Sequence, residues 1–201
     1  MADITEVPPP GKRKGPMREL LETVALALLI ALVVRTFVVE VYRVEGSSML
    51  ITLHDGERLL VNKFSYRFSA RKPAPGDIIV FQSPRQPDRD YVKRVVAVAG
   101  DKVEMREGKV YVNGKPFVEA PGVRLSEEDM EGVRVVPADN VWVLGDNRGN
   151  SDDSRSFGFV PLQSIRGMAF VRIWPVNRVC RFVNPVETAN GANDRGVFVC
   201  P

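Results

Sequence analysis

Two neighbouring hydroxyls, Ser47 and Ser48, stand in the run Val44-Glu45-Gly46-Ser47-Ser48-Met49-Leu50-Ile51-Thr52-Leu53. A serine hydroxyl is a weak nucleophile until a nearby base takes its proton. The chain holds one histidine, His54, so a Ser-His-Asp triad would have to use it. It sits in a polar loop sequence, His54-Asp55-Gly56, on the same segment as Ser48, and loop polarity accounts for it more simply. The other base on offer is Lys93, in Asp90-Tyr91-Val92-Lys93-Arg94-Val95-Val96-Ala97-Val98. A free lysine has a pKa of about 10.4. It serves as a base near neutral pH only when its surroundings pull that value toward about 7–8. On a strand, Tyr91, Lys93, Val95 and Ala97 share a face, and an amine on an apolar face loses hydration. The competing explanation is a solvated edge strand guarded by lysine.

A third cluster runs Gly145-Asp146-Asn147-Arg148-Gly149-Asn150-Ser151-Asp152-Asp153-Ser154-Arg155. It is too irregular for an EF-hand, because Arg148 takes a ligand position and the closing glutamate is missing. Arginines alternating with carboxylates predict an ion-pair network that fixes a loop, against the alternative of a solvated turn.

Such groups need a framework. The 201 residues carry 44% hydrophobic and 26% charged side chains, near the globular average. The net charge of +3 is weak for a nucleic-acid binder. One histidine and two cysteines exclude a zinc finger. No phosphate loop or dinucleotide fingerprint is present, so no cofactor and no metal is expected. Residues 1–19, with Lys12, Arg13, Lys14 and Arg18 among prolines and glycines, read as a basic tail. Residues 20–39 are nearly all apolar and predict one transmembrane anchor of marginal length. The preceding basic residues put the N-terminus in the cytoplasm and the rest outside the cell membrane. No small-residue cleavage site follows the apolar run, which argues against a removed signal peptide.

Residues 40–175 read as a β-domain. Candidate strands are Arg58–Lys63, Asp77–Gln82, Tyr91–Val98, Lys102–Arg106, Lys109–Val112, Lys115–Val118, Val141–Leu144 and Ile165–Trp174. Asn113-Gly114 is a strong hairpin signal. Short strands without long helical periods predict a mostly β fold of antiparallel sheets or a partly open barrel. Residues 119–138 look like an excursion from it, and 176–201 like a C-terminal tail holding Cys180 and Cys200. In an oxidising compartment these two either pair or remain free thiols.

In their order behind an apolar segment, these boxes resemble those of the type I signal peptidases (leader peptidases). The resemblance implies a membrane-tethered, mostly β serine endopeptidase that removes signal peptides from exported preproteins. It implies Ser48 as nucleophile, Lys93 as general base and Ser151 as the hydroxyl orienting the lysine, supported by Asp146, Arg148, Asp153 and Arg155. Ile51, Ala97 and Ala99 depart from the family's usual Pro, Gly and Pro. Gly46 stands where one branch has a serine that helps bind the oxyanion. The backbone N–H of Ser48 is the expected first oxyanion donor, with the second from Ser47 or main chain near Gly46. An extended substrate would add as a strand beside Tyr42–Gly46 and Tyr91–Lys93. By resemblance, Val44, Met49, Leu53, Tyr91 and Val92 line pockets for the small residues of an A-x-A site; plain core packing is the alternative for each. Expected partners are signal peptides and the lipid bilayer, with no nucleic acid, and the protein is expected to be monomeric. Two rival classes are a self-cleaving repressor, which would need a DNA-binding domain in place of the anchor, and a tethered β-domain that binds export partners without catalysis.

Overall fold

The computed structural model describes residues 15–50, 52–67, 71–123, 130–182, 184 and 200. Ile51, most of the basic tail and most of the C-terminal tail lie outside the described residues.

Helix α1 spans Pro16–Val33 and passes into a π-helical turn, Val34–Val38. Proline at the first helical position fits, since its missing N–H would have no partner there. From Val24 on the helix is apolar around its circumference and exposed, Leu28, Leu29 and Leu32 being more than half accessible. The expected anchor over 20–39 needs correction in two respects. The helix starts earlier, at Pro16, and so includes Arg18, Glu19 and Glu22; it ends as an α-helix at Val33, and the chain is already in strand at Val39. Among the described residues no helix is long and apolar enough to cross a membrane.

Two antiparallel sheets follow. The larger is built from β1 (Val39–Arg43), β2 (Arg58–Asn62), β3 (Ile78–Gln82), β4 (Asp90–Val98), β9 (Asn140–Leu144), β10 (Val160–Pro161), β11 (Ile165–Trp174) and β12 (Cys180–Arg181). Its order is β1-β2-β11-β3-β4-β9-β10, with β12 also on β11. The smaller comprises β5 (Lys102–Arg106), β6 (Lys109–Val112), β7 (Lys115–Pro116) and β8 (Met130–Val135), in the order β7-β6-β5-β8. The architecture is thus mostly β and antiparallel, but the large sheet is open rather than a closed barrel.

Turn chemistry explains the small sheet. Glu107-Gly108 and Asn113-Gly114 both have positive φ at both positions, the conformation that a two-residue hairpin turn demands. Residues 130–135, expected to be part of an excursion, form strand β8 on β5. The tail is also tied down: β12 pairs β11, and Cys180 and Cys200 form a disulfide.

Strand β4 pairs unevenly. Asp90–Arg94 pairs β3 on one side, whereas β9 covers the other side only from Arg94 to Val98. Among the described residues no strand pairs that second side of Asp90–Lys93. The apolar positions of β2, β3 and β11 pack with Val44, Met49 and Leu53 into one core cluster, and Ile79, Phe81, Val95 and Val143 belong to another.

Candidate active site

After β1 the chain turns through a loop closed by two backbone bonds, Val44 N–H to Glu57 O at 2.8 Å and Gly56 N–H to Val44 O at 2.9 Å. Within it, Leu50 N–H donates to Ser47 O and Leu53 N–H to Met49 O, giving a short helical turn that begins at the serines. Met49 and Leu53 lie four residues apart and are 1% and 0% exposed, packed against Leu59 and Val61. They therefore pin the turn to the core.

Lys93 comes to this turn from β4. Its Nζ lies 2.7 Å from Ser48 Oγ, and the residue is only 4% exposed. Burial pulls the amine from its ordinary 10.5 down to about 8, against the opposing pull of the Asp153, Asp152 and Asp146 carboxylates. The Tyr91 ring sits beside it, with its centroid 5.2 Å from Nζ. An amine in this position can hold a hydrogen bond to the serine hydroxyl and accept its proton.

The Gly145–Arg155 segment braces the pair. Asp146 is wholly buried and accepts from Arg94 Nε at 2.9 Å, Arg94 Nη2 at 2.7 Å and Thr52 Oγ1 at 2.6 Å. Asp153 accepts from Arg155 Nε at 2.9 Å and from the Gly145 N–H at 3.1 Å. Arg148, buried, donates to Gly145 O and to Glu119 Oε2. Asn147 fixes the nucleophile turn directly, its N–H donating to Ser48 O at 3.0 Å and its side chain to Ser47 O at 3.1 Å. Asp146, Arg148, Asp153 and Arg155 all take part in these bonds.

Two expected roles need qualification. The Ser151 hydroxyl is buried next to Gly145 but makes no hydrogen bond, to Lys93 or otherwise, among the described residues. The Gly46 N–H already donates to Asp55 Oδ1 at 2.8 Å. It is not a free oxyanion donor, because a single N–H so committed has nothing left to offer. Ser47 Oγ accepts from Asn150 Nδ2 at 2.7 Å, which leaves its own O–H available. His54 is engaged elsewhere: its Nδ1 is 2.8 Å from Arg178 Nη1, beside buried Glu57.

A cleft of about 630 Å³ opens over the Ser48–Lys93 pair. Val44, Tyr91 and Val92 line it, with Gly46, Ser47, Tyr42, Leu59, Asn150 and Asp152. The sequence did not single out Thr52, Asn147, Asn150, Asp152 or Glu119 for these parts. Asn147, Asn150 and Asp152 lie inside the recognised box, whereas Glu119 reaches Arg148 across 29 residues and leaves no local signal. Among the described residues no group of His, Cys, Asp and Glu is placed to hold a metal.

A family model described as signal peptidase, peptidase S26, matches residues 17–174. A signal peptidase I of Leptolyngbya laminosa is 42% identical over 176 residues, covering 84% of this chain and 85% of that protein. The probable signal peptidase I-2 of a Synechocystis strain is 40% identical, over 84% and 78% of the two chains. Signal peptidase IB of Staphylococcus aureus is 36% identical over 86% of this chain and 99% of its own length. A crystal structure of a signal peptidase I from Enterococcus faecalis is 35% identical, covers 50% of this chain and 98% of that one, and has a TM-score of 0.41. With a family model over more than three quarters of its length and relatives matched across most of theirs, this chain belongs to the signal peptidase family S26, serine endopeptidases that cleave signal peptides.

Proposed function

We propose that the chain cleaves exported preproteins after a small residue in an A-x-A sequence, with Ser48 as nucleophile and Lys93 as general base. The observation that carries this is the 2.7 Å approach of a buried lysine amine to a serine hydroxyl at the floor of an open cleft. The uncharged amine takes the Oγ proton as Oγ bonds to the scissile carbonyl carbon. The resulting ammonium then gives that proton to the departing amine, leaving an acyl-serine. Water, deprotonated by Lys93, hydrolyses the ester and restores Ser48. The Ser48 N–H and the Ser47 hydroxyl, the latter backed by Asn150, stabilise the oxyanion.

The unpaired side of Asp90–Lys93 and the outer strand β1 flank the cleft, and an extended peptide between them gains main-chain hydrogen bonds on both edges. Val44 and Val92 supply its shallow apolar floor. The exposed apolar surface of α1 from Val24 onward favours burial in a lipid bilayer over exposure to water. We infer that the apolar run from Val24 onward, α1 taken together with the π-helical turn that continues it, holds the chain at the outer face of the cell membrane with its N-terminus cytoplasmic.

The test is incubation of the detergent-solubilised full chain with a purified preprotein, wild type against Ser48→Ala, with the new N-terminus sequenced. Wild type yields a product beginning just after A-x-A, and Ser48→Ala yields none. Wild-type inactivity, or equal cleavage by both, overturns the proposal.

A further inference from the structure

Glu119 stands outside the boxes that carry the chemistry, yet it reaches into one of them. It follows β7 and comes two residues after Phe117. The Phe117 N–H donates to Val110 O at 2.9 Å, and its side chain packs on the core cluster that holds Val103, Val110 and Leu144. Leu144 directly precedes Gly145, so the small sheet packs against the start of the supporting loop. From that footing Glu119 Oε2 accepts from Arg148 Nη2 at 2.6 Å. The Arg148 side chain is fully buried, and that of Glu119 is 24% exposed. Among the described residues Glu119 is the only charged partner of this guanidinium. Nε of the same group donates to Gly145 O at 2.9 Å, and Nη1 makes no hydrogen bond. Arg148 opens one tight helical turn, Arg148–Asn150. At its other end Asn150 Nδ2 donates to Ser47 Oγ at 2.7 Å, and both residues line the cleft.

We propose that Glu119 is a positioning residue for peptide cleavage: by holding Arg148 it fixes the Arg148–Asn150 turn, and through Asn150 it aims the Ser47 hydroxyl at the developing oxyanion. The inference rests on the serine–lysine reading above, in which Ser47 is an oxyanion donor. A guanidinium taken out of water needs a counter-charge, and removing that charge leaves a buried cation uncompensated. Without Glu119, Arg148 gains by turning toward water. It then lets go of Gly145 O, and the turn it opens loses its anchor. Asn150 is exposed and depends on that turn to keep its amide on Ser47. The amide occupies an acceptor site on Ser47 Oγ and so directs the hydroxyl proton away from itself. A donor stabilises an oxyanion by being in place before the charge develops, so a hydroxyl free to rotate loses effect in the transition state and not in substrate binding. None of the small-sheet strands lines the cleft among the described residues. The small sheet therefore contributes to the reaction through this ion pair.

The experiment uses the full chain in detergent and one A-x-A peptide, with steady-state kinetics on wild type, Glu119→Ala, Asn150→Ala and the double variant. Thermal melts under the assay conditions report folding. Glu119→Ala should lower kcat roughly thirtyfold and leave KM within about twofold, a smaller loss than removal of a whole oxyanion donor. In the Asn150→Ala background the same substitution should cost no more than about threefold, because the route is already cut. Glu119→Gln keeps the reach and an acceptor for Arg148 but not the charge, and should lose roughly fivefold in kcat. It takes the place of alanine in the cycle should Glu119→Ala not fold. A merely structural role would instead spread the loss equally over both backgrounds. Equal losses in the two backgrounds, a loss carried by KM, or wild-type kcat in the folded variant overturns the proposal. Failure of the parent reading looks different: wild type then cuts no peptide, or Ser47→Ala keeps the wild-type kcat.

Discussion

Arg94 and Asp146 form a two-pronged ion pair, 2.9 and 2.7 Å, with both residues buried. Arg94 directly follows Lys93 on β4, and Asp146 also accepts from Thr52, four residues beyond Ser48. One pair thus joins the strand bearing the amine to the turn bearing the hydroxyl. The same guanidinium reaches Gly76 O at 2.9 Å and so holds the β3 approach as well.

Removing one member of this pair should be costly. Arg94→Met leaves a buried carboxylate with Thr52 as its remaining side-chain donor, and such losses run to about 3–5 kcal/mol. Arg94→Met combined with Asp146→Leu should recover much of that stability but little activity. Urea denaturation beside a cleavage assay checks both statements. A double variant no more stable than Arg94→Met would mean the charges are not the source of the cost.

Lysine rather than histidine should govern the reaction. Lys93→Ala is expected to lower kcat/KM roughly a thousandfold or more, as loss of a general base in a coupled pair does. His54→Ala should retain most activity, because the ring is held by Arg178 away from that pairing. Steady-state kinetics on one peptide substrate decide between them; the opposite pattern removes Lys93 from its assigned role.

The pH profile follows from the amine. With its pKa lowered to about 8, kcat/KM should rise with pH through an acid limb centred there. Asp152→Asn removes a carboxylate that favours the ammonium, so the limb should move to lower pH. Stability moves with the same proton. Between about 8 and 10.5 the unfolded lysine binds more protons than the folded one, so this residue makes stability rise with pH across that window. Below it the folded state bears the full cost of the buried ammonium, and Lys93→Met should be stabilised there. Denaturation midpoints at pH 6 and pH 10, compared between the two proteins, measure this; a difference independent of pH would contradict it.

Gly145 tolerates no side chain. A Cβ there would collide with the Ser151 hydroxyl and with the Ser48 carbonyl. Gly145→Ala should cost about 1–3 kcal/mol and shift Ser48 relative to Lys93, lowering kcat more than it alters KM. Gly149→Ala is the control, since nothing lies within 4 Å of its added carbon. Comparable losses in the two variants would show that the crowding at Gly145 is unimportant.

Much of this was legible from residue order. All eight strands expected from alternation and turn residues are present, because half-buried strands and Asn-Gly or Glu-Gly turns leave local marks. Strand β1 was hidden at the end of an apolar run, where Phe37, Val38 and Val39 continue the helix-like composition. Strand β8 was hidden by its glycine and charges, and it forms only because β5 supplies a partner. Ser48 and Lys93 were visible as types, but their 45-residue separation is closed by sheet pairing, which no spacing rule encodes. For Met49 and Leu53 the sequence left two readings open, because an apolar residue beside a nucleophile reads alike whether it faces substrate or core.

Strand β4 offers half of one edge to any chain that can lie along it. A segment already hydrogen-bonded inside a folded partner has no backbone groups to spare for that edge. The enzyme should therefore act on clients while the stretch around the cut is still unstructured, and a client that folds early escapes it. Timing of client folding, as much as sequence, then decides which proteins are released.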